Sequence, residues 1–269
     1  YAAKRDSGFS VFYMAINIGA MFAPTAAIKI MEWAQNSLGV SEADSYHYAF
    51  AVACLSLIAS IAVYYIFRST FAHTDRSKAT AAAGNTNVKE LTPAETKERI
   101  ICLCLVFAVV IFFWMAFHQN GATLTFFARD YTETSSTGIQ SMAFDVMNLV
   151  FGIFIVYGLF GLFQSKTGKG KGISAAVIAA AVGGLIYKYS TLPAETAVSA
   201  PIFQQFNACF VVALTPVSIA IFGALAKKGK EPSAPMKIGL GMLVAAAAYV
   251  LLIMCSLGLP APQMDAAGQ

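Results

Sequence analysis

IICLCLVFAVVIFFWMAFHQNGATLTFF, residues 100–127, is the stretch that decides the fold. At about 1.5 Å per helical residue, it is longer than the roughly 30 Å hydrocarbon core of a bilayer. One cluster interrupts its apolar character, formed by Trp114, His118, Gln119, Asn120 and Gly121. An imidazole and two amides inside such a span are unfavourable unless they face protein or a water-filled cavity. Two interpretations stay open: hydrogen bonds to neighbouring helices, or a polar cavity at membrane depth, which we favour.

The composition of the whole chain is that of a membrane protein. Of its 269 residues, 58% are hydrophobic and only 12% are charged, which is far from the balance of soluble domains. Apolar runs that approach or exceed 18 residues predict an all-α polytopic membrane protein with about seven transmembrane helices. Two starts carry helix-capping signals, Ser41 with Asp44 and Thr92 with Glu95. The predicted spans are residues 9–32, 47–67, 100–127, 146–163, 173–189, 202–226 and 238–257.

Lysine and arginine are concentrated in alternate loops. Fifteen of the 18 lie before the first predicted span or between spans two and three, four and five, and six and seven, whereas the other loops carry mostly acids. This alternation follows the positive-inside rule, so we expect the plasma (inner) membrane, a cytoplasmic start and an external end. Seven-helix receptors and retinal proteins start outside the cell, so the predicted cytoplasmic start argues against both classes. Because the charges are sorted by membrane side, the net charge of +4 says little about nucleic acid, and we expect no nucleic-acid partner.

The sequence contains no pattern for metal binding or enzyme chemistry. All five cysteines fall inside apolar spans, with no CxxC and no Cys/His ligand spacing. There is also no nucleophile–base pair and no phosphate-binding loop. We therefore expect no metal, no cofactor and no enzyme activity. The cysteines are Cys54, Cys102, Cys104, Cys209 and Cys255.

The longest polar segment, residues 69–98, divides the chain into two parts. We predict that it is a cytoplasmic linker between the helices of residues 1–68 and those of residues 99–269. The odd number of spans, the cytoplasmic start and the absence of an initiator Met predict an internal piece of a larger transporter.

The first span carries a transporter signature. Residues 9–20 read FSVFYMAINIGA and resemble, position for position, the F-x-x-F-Y-x-x-I-N-x-G-A signature of the proton-dependent oligopeptide transporters, a family of the major facilitator superfamily. Two weaker matches come later in the chain, in the same order as in that family. Residues 113–121, FWMAFHQNG, resemble its F-W-x-x-x-E-Q-x-G segment of the seventh helix. Residues 204–208, QQFNA, followed by Pro216, resemble its Q-x-x-N-P segment of the eighth helix.

The resemblance implies a major facilitator helix bundle that runs from about helix five to helix nine. Residues 1–68 would then be the last two helices of the N-terminal bundle, and residues 99–269 the start of the C-terminal one. Three departures accompany it: His118 stands where the family has a carboxylate, Ala208 replaces a proline, and an extra helix pair is inserted at about 146–189. An even number of inserted spans preserves the orientation of the later helices.

Side chains on shared helix faces are the candidate site. Tyr13 and Asn17 are four residues apart, and so are Trp114 and His118, so each pair shares a face. The alternative to a substrate-binding role for Asn17 is an interhelical hydrogen bond, worth about 0.6 kcal/mol in membrane proteins. For Trp114 the alternative is packing in the core or at the membrane interface. The resemblance assigns proton coupling to His118. The expected substrate-binding residues are Asn17, Tyr13, Trp114, Gln119, Asn207 and Gln204.

The resemblance implies a proton-coupled secondary transporter that imports di- and tripeptides by alternating access, in which two bundles rock about a midplane site. Histidine in general titrates near neutral pH, so this residue type is suited to relay a proton at position 118, although it cannot be an anion. The expected partners are a small peptide, protons and the lipid bilayer, and we expect a monomer. Two alternatives remain: a major facilitator carrier of another small solute, including an anion, which His118 slightly favours, and a non-transporting membrane subunit.

Overall fold

The computed structural model describes residues 5–71 and 92–260. Within them, seven segments are long and apolar enough to cross a membrane, so the predicted all-α polytopic fold is confirmed. Two short strands, β1 (Ser135–Ser136) and β2 (Thr196–Ala197), pair antiparallel. The α-helices are α1 (Arg5–Leu38), α2 (Glu42–Phe71), α3 (Pro93–His118), α4 (Thr123–Tyr131), α5 (Val146–Gln164), α6 (Gly168–Ser190), α7 (Gln204–Lys227) and α8 (Ala234–Ser256), and 3₁₀ turns lie at Gln119–Gly121, Gly138–Phe144 and Ala200–Phe203.

Local hydrogen bonds define the helix ends as the sequence predicts. The N–H of Thr92 donates to Glu95 Oε2 over 2.9 Å, and the N–H of Glu95 donates back to Thr92 Oγ1 over 3.3 Å, which is a complete capping box. The N–H of Asp44 donates to Ser41 Oγ over 3.1 Å. Gly39, just past α1, has a φ of +66°, a left-handed conformation that favours glycine after a helix. Both predicted caps are confirmed.

The described chain packs as two compact units, one made of residues up to 25 and from 111 onward, the other of residues 26–110. The division falls within α1 and α3. Both ends of the predicted 69–98 linker are helical, since α2 continues to Phe71 and α3 starts at Pro93. Residues 72–91 of that linker lie outside the described residues, and the predicted domain boundary stays a prediction.

In the unit of residues 26–110, the end of α1 packs on the start of α2. Gln35 Nε2 donates to Ser45 Oγ over 3.0 Å. The ring of Trp33 meets that of Tyr48 edge-on, with 6.3 Å between their centroids. Ala34 and Ser45 are fully buried there. A small residue at each close contact lets the two backbones approach, which is how membrane helices associate.

The core of the other unit is built from three helices. Its buried side chains come from α1, α5 and α7, and partly buried residues that include Met14 and Tyr157 pack against them. Helix α5 belongs to the helix pair that the sequence predicts as an insertion, so this insertion contributes directly to the core. The buried core residues are Met21, Val146, Ile153, Ala208, Cys209 and Val212.

Glycines bring α5 and α6 into close contact. A Cβ added to Gly158 would lie 2.5 Å from Ile178 Cγ1, and one added to Gly184 would lie 2.7 Å from the ring of Phe151. An ion pair between Lys188 Nζ and Asp145 Oδ2, 2.5 Å apart, joins the end of α6 to the start of α5. Helices α5 and α6 therefore form a tightly packed helical hairpin.

Candidate functional site

A cavity of about 640 Å³ lies between α1, α7 and α8. This volume is in the range of small-molecule sites. Its lining combines hydroxyl and amide groups with aliphatic and aromatic side chains, and none of the lining side chains is charged. Such a wall offers hydrogen bonds of both senses together with apolar surface. The lining residues are Ser10, Tyr13, Asn207, Phe210, Val211, Leu214, Thr215, Ser218, Ile219, Gly241 and Val244.

Two of the predicted site residues, Tyr13 and Asn207, meet at this cavity. Tyr13 comes from α1 and keeps about half of its surface exposed, while Asn207 is half-buried in the first turn of α7. The cavity face of α7 continues from Asn207 through Val211 and Leu214 to Ser218, because these positions recur every three or four residues. The structure therefore brings a phenol and an amide from two helices to one hollow.

Asn17 shares the face of Tyr13 but turns its side chain elsewhere. It is 9% exposed, and its Nδ2 donates to the backbone carbonyl of Tyr13, one turn earlier, over 2.9 Å. Asn17 is not among the residues that line the cavity. The interhelical bond considered from the sequence is replaced here by a bond within the helix, a local option that a short amide has at every helical position.

The two glutamines at the start of α7 have different environments. Gln204 Nε2 donates to Thr125 Oγ1 over 3.2 Å and links α7 to α4. Gln205 is fully buried: its Oε1 accepts from Thr25 Oγ1 and its Nε2 donates to the carbonyl of Phe144, each over 3.3 Å. Sequence reasoning missed Gln205. Its spacing of three, four and seven residues to the buried positions 208, 209 and 212 is the signal that marks it as core-facing.

Trp114, His118 and Gln119 form a second group, at the end of α3, and none of them lines the cavity. The rings of Trp114 and His118 lie 5.7 Å apart at 31°, and both residues are exposed on this chain. Gln119 Nε2 donates to the carbonyl of Met115 over 3.1 Å, and its Oε1 accepts from Thr123. The amide of Gln119 is thus engaged in local bonds.

The third predicted span is interrupted next to these residues. Helix α3 ends at His118, and a 3₁₀ turn over Gln119–Gly121 separates it from α4, so the stretch of residues 100–127 is not one continuous helix. The last carbonyls of an ended helix need new partners. The side chain of Gln119 supplies one of them, and the Tyr249 hydroxyl of α8 donates to the carbonyl of Ala116 over 2.5 Å.

Metal-binding chemistry has no candidate in the described part of the chain. Residues 5–71 and 92–260 contain no group of three or more His, Cys, Asp or Glu side chains that could hold an ion. All five cysteines lie in this part and are free thiols, and Cys209 is the buried one.

These features define a multi-pass α-helical membrane protein with an open, mostly apolar cavity between helices that carries a few hydroxyl and amide groups. Comparison with known proteins narrows the class: the model of the POT family, the proton-dependent oligopeptide transporters, matches residues 1–88. The resemblance found in the sequence is thereby confirmed.

Three curated relatives match along most of the chain. Dipeptide and tripeptide permease B of Salmonella typhimurium is 24% identical over 92% of this chain and 45% of its own length. The uncharacterized transporter YclF of Bacillus subtilis is 23% identical over 93% and 47%, and the peptide transporter YePEPT of Yersinia enterocolitica is 21% identical over 93% and 47%. The chain spans about half the length of the curated relatives it matches. No solved structure matches it.

Proposed function

We propose that this protein is a proton-coupled secondary transporter that imports di- and tripeptides across the plasma (inner) membrane by alternating access, with the start of this chain on the cytoplasmic side. The relatives named as peptide permease or transporter support the substrate class. The observation that carries the proposal is the cavity to which α1 contributes Tyr13 and α7 contributes Asn207.

The chemistry of the cavity fits a short peptide. An amide such as that of Asn207 both donates and accepts hydrogen bonds, as does the hydroxyl of Tyr13, so the pair matches the N–H and C=O groups of a peptide backbone. Apolar residues such as Phe210, Leu214 and Val244 provide surface for uncharged side chains. Gln204, Asn17, Trp114 and Gln119 remain proposed substrate residues that lie outside this lining.

His118 is the proposed proton-coupling residue. Its ring lies beside those of Trp114 and Phe117. Histidine is one of the side chains that relay protons in membrane transporters, and it gains a positive charge when it binds a proton. In alternating access, that change of charge would favour one orientation of the two helix bundles over the other.

The cavity lining matches the peptide backbone and not its charged ends. No lysine, arginine or histidine lines this cavity, so the hydroxyl of Tyr13 and the amide of Asn207 would bind backbone N–H and C=O groups. The two termini of a peptide, like an isolated anion, need charged partners outside this lining. Competition between dipeptides and small anions in the transport assay distinguishes the main proposal from an anion carrier.

Transport by the full-length protein in proteoliposomes tests this function. A labelled dipeptide should accumulate under an inward proton gradient, and unlabelled di- and tripeptides should compete. Asn207→Ala removes a hydrogen bond of about 0.5–1.5 kcal/mol, so the KM should rise about 2- to 12-fold. Asn36→Ala is the matched control, because Asn36 is exposed near the end of α1. Uptake that no peptide inhibits would refute the peptide substrate.

The coupling role of His118 needs a separate measurement. His118→Ala should abolish accumulation driven by a pH gradient but preserve part of the exchange of labelled for unlabelled peptide, because exchange needs no net proton movement. A His118→Ala protein that still concentrates peptide under a pH gradient removes His118 from the coupling mechanism.

A further inference from the structure

The hydroxyl of Tyr157, in the inserted helix α5, contacts two other helices. It donates to the backbone carbonyl of Val212 in α7 over 3.1 Å and lies 2.8 Å from Met14 Sδ in α1. A phenol has one hydrogen to donate, and a carbonyl oxygen is a stronger acceptor than a thioether. The bond to Val212 is therefore the principal one, and Met14 provides the contact with α1.

The carbonyl of Val212 needs a partner because of Pro216. In an α-helix the carbonyl of residue 212 would accept from the N–H of residue 216, and proline has no N–H and crowds that carbonyl with its ring. Val212 is only 3% exposed, so water does not easily replace the missing donor. Membrane helices tolerate proline when a neighbouring group satisfies the freed carbonyl. Tyr157 is that neighbouring group.

The adjacent carbonyl along α7 is also occupied by a side chain. Thr215 Oγ1 donates to the carbonyl of Val211 over 2.6 Å, a bond of the kind that often bends helices. In one turn of α7, two backbone carbonyls thus accept hydrogen bonds from side chains. The carbonyl of Val211 accepts from Thr215 of α7, and that of Val212 accepts from Tyr157 of α5. The local shape of α7 at Pro216 therefore depends on where α5 holds the Tyr157 hydroxyl.

Helix α5 is well suited to hold that hydroxyl in place. The residue after Tyr157 is Gly158, which packs directly on Ile178 of α6. Asp145 Oδ1 accepts from the N–H of Met147 to cap α5, and its other oxygen pairs with Lys188. A side chain carried on a rigid, close-packed hairpin positions its partner more accurately than one on a loop does.

Tyr157 stands behind the cavity without lining it. Thr215 and Ser218, on either side of Pro216, belong to the lining, and so does Tyr13, the neighbour of Met14. The two residues that Tyr157 contacts are thus adjacent in sequence to lining residues, Val212 to Val211 in α7 and Met14 to Tyr13 in α1.

We infer that Tyr157 is a positioning residue for the cavity: its hydroxyl completes the proline-interrupted turn of α7, holds that turn against α1, and so sets the separation of the walls that carry Tyr13 and Asn207. The consequence for peptide affinity rests on the proposed function, whereas the consequence for helix geometry does not. The inserted helix pair thereby shapes the site from outside it.

A double-mutant cycle in the full-length, detergent-purified protein tests the bond. Tyr157→Phe removes only the hydroxyl and should lower the melting temperature by about 1–2 °C. Pro216→Ala restores the N–H of residue 216, so Val212 regains its intrahelical donor and Tyr157→Phe in that background should have less than half of its original effect. Tyr187→Phe is the control, because Tyr187 is 68% exposed on α6. Equal effects of Tyr157→Phe in both backgrounds would overturn the inference.

A distance measurement tests positioning and is independent of transport. Spin labels on cysteines that replace Phe9 and Ile221, both exposed and outside the cavity lining, report the separation of α1 and α7 in a background whose native cysteines are replaced. Tyr157→Phe should shift or broaden this distance distribution, and Pro216→Ala should reverse the change. An unchanged distribution would show that Tyr157 only packs, and the inference would fail.

The peptide KM then connects geometry to affinity. Tyr157→Phe should raise the KM about 3- to 10-fold with a smaller change in kcat, because the turn of α7 at Pro216 loses the hydrogen bond from Tyr157 to the Val212 carbonyl. An altered distance with an unchanged KM would contradict the effect on the site. If the unsubstituted protein transports no peptide, the proposed function fails, while the melting cycle and the distance distribution still decide the role of Tyr157.

Discussion

Replacing Gly158 by alanine tests the close contact between α5 and α6 most directly. The new methyl group would lie 2.5 Å from Ile178 Cγ1, 3.2 Å from its Cδ1 and 3.3 Å from the carbonyl oxygen of Ser174. A Cγ1 next to a branched Cβ has few rotamers to escape into, and a backbone carbonyl cannot rotate away. The helices must therefore separate slightly, and overpacking of this kind typically destabilises by about 1–3 kcal/mol.

Gly152→Ala, in the same helix, is the matched control. A Cβ at Gly152 would meet nothing within 4 Å, so this variant gains only the higher helix propensity of alanine, about 1 kcal/mol. Gly158→Ala gains the same propensity, so the difference between the two variants isolates the clash. For a protein as long as the curated relatives, about 1 °C per kcal/mol is expected, so a clash near 2 kcal/mol separates their melting temperatures by about 2 °C.

The assay is thermal unfolding of the detergent-purified, full-length protein, followed by tryptophan fluorescence or by a thiol-reactive dye, and it requires no substrate. Gly158→Ala should melt below Gly152→Ala and below the unsubstituted protein. If the two variants melt at the same temperature, α5 and α6 do not approach as closely as the distances at Gly158 indicate. The close packing that is argued to hold Tyr157 in position would then be absent.

Two further predictions concern polar contacts of the same unit. Gln205→Ala should lower the free energy of unfolding by about 2 kcal/mol, because the Thr25 hydroxyl and the Phe144 carbonyl lose their hydrogen-bond partner. The control Gln164→Ala, at an exposed position, should have little effect. A small loss for both variants in thermal unfolding would contradict the role of Gln205. Asp145→Asn should lower stability by less than about 1 kcal/mol, because the ion pair with Lys188 is 36% exposed on both sides and asparagine still caps α5. Asp145→Ala should lose about 1 kcal/mol more in the same measurement, and equal losses for both substitutions would refute the capping role.

Features that lie within a few residues of one another were predictable. The capping box of Thr92 and Glu95 depends on a spacing of three residues, and the structure has it where the pattern predicts it. The apolar spans are likewise local, because their length against the bilayer thickness decides them. The shared face of Tyr13 and Asn17 follows from helix periodicity, although periodicity does not say which of the two faces a cavity.

The candidate site was predictable only in part. Tyr13 and Asn207 line one cavity, while Trp114 and His118 lie together at the end of α3, outside that lining. The break after His118 was not predicted, because the apolar residues on both sides of Gln119–Gly121 give one uninterrupted hydropathy signal. Asn120 and Gly121 are weak helix formers, which is the local sign of the break.

The sequence by itself determined that this chain is a set of apolar membrane helices, where two of them begin, and which transporter family it resembles. The tertiary structure alone decided which helices meet: it placed α5 in the core and brought Tyr157 to the carbonyl that Pro216 leaves without a donor. The physical reason is that lipid is as apolar as a helix surface, so hydrophobicity does not choose the packing face. Close contacts at glycines and hydrogen bonds between distant residues decide the packing face, and neither can be predicted from a local sequence pattern.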